Sequence, residues 1–242
     1  MSEMIDSMSE YETHVTLRCA DAAELARLEA WAGERELKVT HIVLARGRTV
    51  SQPMLTLPDR TGHAFLVPRL RAAGFDPVRV KVETVPWTTE SPGPGGGYFE
   101  HHLKLLLPAD FDRAALESLI VPHSAHLSWN ARRVLAAGAH ERFVTQRWRG
   151  TAAEAGAACD ALVAALGAAG YDIRSEEREF VLYDSDLSVD DGWIGDGVTA
   201  GRTGSALEHP GVDRAGHRYG DRMPGPAPAP APARKTFRED AR

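Results

Sequence analysis

From Tyr11 onward the chain alternates apolar and polar residues. Val15, Leu17 and Cys19 fall on one side and His14, Thr16 and Arg18 on the other, which predicts a strand over 13–19. The period then lengthens to that of a helix. Over 21–35, Asp21 is placed to cap it, and Leu25, Leu28 and Trp31 or Ala32 form an apolar stripe. Two strands, 38–45 and 52–57, follow around the turn Arg46-Gly47-Arg48. A helix over 61–73 stops at Gly74, and Pro68 inside it predicts a late start or a kink. In the next strand, 77–84, Val78, Val80 and Val82 alternate with Arg79, Lys81 and Glu83. The same order then returns as strand 101–107, helix 110–120, strands 126–133 and 141–148, helix 151–169 and strand 173–183.

Local likenesses accompany this return. Tyr11–Leu17 resembles Phe99–Leu105, Thr40–Arg46 resembles Ala125–Arg132, and Leu70–Asp76 resembles Leu166–Asp172, all in the same order. Ordered self-similarity predicts a duplicated module. The order βαββαβ is that of the ferredoxin-like unit. The expected fold class is therefore α+β: two tandem ferredoxin-like repeats with pseudo-two-fold symmetry, each sheet covered by helices on one face and open on the other. The repeats are placed at 11–88 and 98–194, joined by a Gly/Pro linker at 89–97. Residues 1–10 are expected to be disordered. So is the tail 195–242, where alternating Pro and Ala over 224–232 favours extended backbone and cannot build a core.

Charge sharpens this division. The whole chain of 242 residues carries −6, yet 197–242 holds eight basic against five acidic groups, so the excess of acid lies in the body. An acidic body is a poor match for nucleic acid, and its first strands offer no aromatic platform for bases. The basic, Pro-rich tail instead suggests a protein partner. No run approaches the roughly 18 apolar residues of a membrane span, and the polar start lacks a signal peptide, which together point to the cytoplasm. Cys19 and Cys159 are too few for a disulfide framework or a zinc site. The acidic stretch Asp184–Trp193 lacks the glutamate that closes a calcium loop, so it is expected to be a solvated turn, with Trp193 and Ile194 packing back on the body.

The expected open faces carry the chemistry. Histidine recurs at matching places, His14 with His102 and His41 with His126. The motif His14-x-Thr16 on one strand and its counterpart His102-x-Lys104 resemble those of the 2H phosphoesterase superfamily, whose two lobes each supply one His-x-Thr/Ser motif. The resemblance implies a metal-independent phosphodiesterase or cyclic-phosphate hydrolase. In it His14 and His102 would act as general base and acid, Thr16 would hold a phosphoryl oxygen, and no cofactor would be needed. Lys104 departs from that pattern, because a point charge stands where the family has a hydroxyl. His41, His126, Asn130, Arg79 and Lys81 are placed to bind the phosphorylated substrate. Two other functions stay open. His14, Glu83, His102 and Glu179 form a ligand set for a divalent transition metal in a metal-dependent enzyme. A polar open sheet could equally serve a non-enzymatic small-ligand or protein-binding module.

Overall fold

Strands form where alternation was expected: β1 Tyr11–Arg18, β2 Lys38–Leu44, β3 Ser51–Leu57, β4 Asp76–Thr84, β5 Tyr98–Leu107, β6 Ala125–Asn130, β7 His140–Trp148 and β8 Asp172–Asp184. Four helices intervene, α1 Ala22–Gly33, α2 His63–Ala72, α3 Arg113–Ile120 and α4 Ala152–Ala168. The structure, a computed structural model, describes residues 10–90, 96–133 and 139–194. The expected disorder of the N-terminus and of the 195–242 tail, the tail's docking on a partner, and the glycine run of the linker all fall outside the described residues.

Asp21 and Asp112 cap α1 and α3 by accepting from the backbone N–H groups of Glu24 and Ala115. Thr151 and Glu154 cap α4 reciprocally. Gly74 and Gly170, at φ +75° and +81°, release the chain from α2 and α4 in the left-handed conformation that favours glycine.

The assembly of these elements corrects the sequence expectation. The strands do not form two tandem ferredoxin-like sheets with open faces. They close into one eight-stranded antiparallel barrel in the order β1-β3-β2-β6-β7-β5-β8-β4, and β4 returns to β1. Two seams make the closure. On one, Val43 pairs with Trp129 between β2 and β6; on the other, Val82 pairs with Tyr183 between β4 and β8. Each would-be edge strand thus satisfies its backbone groups against a strand from the other half of the chain, and closure removes every free edge. The reading of a duplicated α+β protein is overturned with it: the described residues make a single β-barrel with four helices on its outside.

The apolar faces of the strands point outward, under the helices. One core gathers Val15, Leu17 and Leu55 with Leu28 of α1 and Leu66 and Leu70 of α2. The other gathers Leu103, Leu105 and Val144 with Leu116 and Ile120 of α3 and Cys159, Leu162 and Leu166 of α4. Each fully buried leucine contributes about 1.5–3 kcal/mol. The polar faces expected to meet water therefore line the barrel lumen instead. No helix among the described residues is long and apolar enough to cross a membrane.

Candidate functional site

Alternation along the strands delivers the lumen's side chains. β1 sends in Glu12, His14 and Thr16, β4 sends Arg79, Lys81 and Glu83, and β5 sends Glu100, His102 and Lys104. Together with Thr56, Thr145, Glu177 and Glu179 they surround a cavity of about 350 Å³. The volume suits a small ligand in a barrel of eight strands.

One end of the lumen is closed. After β8 the chain makes a single 3-10 turn at Leu187–Asp190 and returns across the barrel end. Trp193 donates its indole N–H to the Leu127 carbonyl at 2.9 Å, and Trp193 and Ile194 pack against Leu44. Asp190 is only 2 % exposed. It meets Arg79 Nη1 at 2.9 Å, Arg147 Nη2 at 2.7 Å and Gln52 Nε2 at 3.1 Å. Arg79 also pairs with Asp184, and Arg147 with Glu100. The stretch expected to be a solvated acidic turn is thus a buried plug. Asp184 and Asp190 neutralise two buried guanidiniums, which would otherwise cost several kcal/mol each. Arg79 holds the Asp184 carboxyl below its usual range despite burial. At the other end Lys38, Glu177 and Arg133 are exposed, so the lumen opens there.

In the middle layer each histidine has the same partner. His14 Nδ1 lies 3.1 Å from Thr56 Oγ1, and His102 Nδ1 lies 3.0 Å from Thr145 Oγ1. The register explains it, since Thr56 is paired with His14 across β1–β3 and Thr145 with His102 across β5–β7. The other ring nitrogens differ. His14 Nε2 is 2.9 Å from Glu83 Oε2. His102 Nε2 stands 3.6 Å from Glu179 and 3.7 Å from Glu100, beyond hydrogen-bond length. Donor atoms of Glu83, His102 and Glu179 all lie within 4.8 Å of one another, and Glu83 is also the carboxylate that His14 meets.

Positive charge is unevenly shared among the carboxylates. Lys81 Nζ sits 2.6 Å from Glu100 and 2.5 Å from Glu83 Oε1, the latter without hydrogen-bond geometry, so that oxygen keeps no hydrogen-bond partner. Burial raises the Glu83 pKa, but Lys81 and His14 outweigh it and hold the carboxyl well below the usual range. Among the described residues Glu12, Glu177 and Glu179 meet no lysine or arginine within 4.0 Å. Burial, followed by the nearby Glu83 charge, pushes the Glu179 carboxyl well above its ordinary value. Of the two carboxylates among the three donors, Glu179 is the one left without a lysine or arginine partner among the described residues.

The residues expected from sequence divide accordingly. His14, Thr16, His102 and Lys104 all reach the lumen, as do Glu83, Glu179, Arg79, Lys81 and Asn130. Thr16 is buried beside Arg79 on β4, while the Lys104 ammonium lies 5.7 Å from the Phe143 ring. Arg79 and Lys81 are committed to carboxylates and so are not free to grip a substrate anion. His41 and His126 do not line the lumen: His41 bonds Ser51 Oγ at 2.8 Å, and His126 accepts from Arg46 at 2.7 Å. Thr56, Thr145, Glu100 and Arg147 were missed, although alternation from His14 and His102 pointed inward to Glu12 and Glu100 as well.

His126 gives a pH prediction independent of the centre. Burial and then the Arg46 charge lower its pKa to about 4. The unfolded chain, near 6.5, binds this proton first, so stability is full above about pH 6.5 and declines as pH falls toward 4. His126→Gln should flatten the Tm-versus-pH curve across that window. An unchanged slope would refute the assignment.

No protein-family model matches the sequence, and no curated protein matches it.

Proposed function

We propose that the barrel is a metal-dependent enzyme acting on a small molecule admitted through the open mouth, with a divalent transition metal held by Glu83, His102 and Glu179. One observation carries this reading. Three donors of mixed imidazole and carboxylate type converge within 4.8 Å, and one of them, Glu179, meets no lysine or arginine among the described residues. A cation about 2.1 Å from each donor would draw them to about 3.4 Å apart, a shift within reach of glutamate rotamers. Such donors suit Zn²⁺, Mn²⁺ or Fe²⁺. When bound, the metal supplies Lewis acidity and lowers the pKa of a coordinated water. The chain supplies the rest. The plug excludes solvent from one end, Glu12 in the lumen and Glu177 at the mouth stand as proton acceptors, and Lys38 and Lys104 bring positive charge toward the mouth.

The presence of His14 and His102 in one lumen also supports the metal-free, 2H-like phosphodiesterase. Two features favour the metal over it. His14 Nε2 is already engaged by Glu83, and a phosphodiester would meet Glu12, Glu177 and Glu179, carboxylates without a lysine or arginine partner among the described residues. The test is a calorimetric titration of the metal-stripped full chain with Mn²⁺ and Zn²⁺. The expected result is one site per chain that disappears in His102→Ala. No heat at millimolar metal would overturn the reading, and turnover of a cyclic phosphate in excess chelator would establish the metal-free one. Metal binding without turnover of any small molecule would leave the barrel a ligand-binding module.

A further inference from the structure

The two histidines occupy matching places and share the same kind of partner, yet their outer nitrogens meet different surroundings. His14 Nε2 lies at hydrogen-bond distance, 2.9 Å, from an oxygen of Glu83. A carboxylate only accepts, so Nε2 must carry the hydrogen. In the neutral ring Nδ1 is then an acceptor, and the Thr56 hydroxyl donates to it across 3.1 Å. At His102 the outer nitrogen has no such acceptor, because its nearest carboxylates stand at 3.6 and 3.7 Å. A hydrogen there would find no protein acceptor within hydrogen-bond length among the described residues. With the hydrogen on Nδ1 instead, the Thr145 hydroxyl accepts it at 3.0 Å, and the Nε2 lone pair is left free on the side of Glu179.

We infer that His14 and His102 hold opposite tautomers, and that Thr145 is the positioning residue that aims the His102 Nε2 lone pair at the metal. His14, by contrast, uses its Nε2–H to hold the Glu83 carboxylate. The inference rests on the metal reading above and adds what it leaves open, what selects His102 rather than His14 as the ligand. Thr145 is fully packed, at 2 % exposure, and its register opposite His102 fixes the hydroxyl against the ring. A partner on the far nitrogen sets the tautomer and orientation of a ligating histidine, and losing such a partner typically costs 10–100-fold in metal affinity.

The test uses the full chain with ¹⁵N-labelled histidine. Long-range ¹H–¹⁵N spectra of the metal-free protein should show His14 protonated at Nε2 and His102 at Nδ1, and zinc should shift His102 Nε2. Thr145→Val should weaken Zn²⁺ binding by about 10–100-fold at unchanged secondary structure, and Thr145→Ser should restore it to within about threefold. Thr56→Val should cost less than tenfold. A wild type that binds no metal overturns the reading on which the inference rests. A metal-binding wild type with like tautomers, or with a Thr145→Val affinity that Ser does not rescue, overturns the inference alone.

Discussion

Asp190→Ala should destabilise the protein by about 3–5 kcal/mol, lowering Tm by about 10 °C. The residue lies outside the strands, in the short turn that follows β8, yet it accepts from Arg79, Arg147 and Gln52 at once. Removing it leaves Arg79 with Asp184 and Arg147 with Glu100, so two buried guanidiniums each lose one of two carboxylates. A neutral side chain of similar shape retains part of the geometry, so Asp190→Asn should cost less than Asp190→Ala. The loss should come with release of the plug, read as a red shift of Trp193 emission against a Trp193→Phe control. A change in Tm below about 2 °C would show that the remaining pairs suffice and that the plug is not held by charge.

How much of this was legible beforehand depends on range. Every strand and helix was visible as local period, because alternation and helical stripes are set by neighbours a few residues apart. Closure was not. It depends on Ile42 meeting Asn130 and Lys81 meeting Asp184, pairings between distant segments that leave no periodic trace. Alternation also cannot tell a polar face in water from one lining a polar lumen. His14, Lys81, Glu83 and His102 were correctly placed on one side of their strands, but that side is the interior. The Asp184–Asp190 segment misled for the same reason, since an acidic turn reads as solvated until the buried Arg79 and Arg147 are known to face it.

The candidate metal-ligand set was legible in composition but not in roles. His14, Glu83, His102 and Glu179 were grouped because each sits at a matching place on a first or last strand. The geometry retains all four near one another yet separates them. Glu83, His102 and Glu179 form the converging set, and His14 stands behind Glu83. Thr56 and Thr145, which hold the two rings, carry no sequence signal of their own. Threonine is an ordinary strand residue, and only its cross-strand register to a histidine gives it a role.

Glu179→Gln should have two effects of opposite sign: loss of metal binding by at least 100-fold, and a metal-free protein more stable than the wild type by about 1–2 kcal/mol. Glu179, a ligand in the proposed site, has no lysine or arginine partner among the described residues and is set beside Glu83 and near Glu177 and Glu12, so its charge is tolerated rather than satisfied. Its folded pKa is raised above the value near 4.3 of the unfolded chain. The unfolded state therefore releases the proton first, and stability declines as pH rises from about 4.3 through the folded pKa. The amide removes that penalty at neutral pH, while below pH 4, with the carboxyl protonated in both states, variant and wild type should melt together. Metal supplies the missing charge by another route. At one hundred times its dissociation constant it should stabilise the wild type by about 2.7 kcal/mol and leave Glu179→Gln unmoved. Thermal melts at pH 4 and pH 7.5, with and without Mn²⁺, read all of these effects in one series. A variant less stable than wild type at pH 7.5 without metal would mean that the Glu179 carboxylate is already compensated, and the case for a cation at that carboxylate would fall with it.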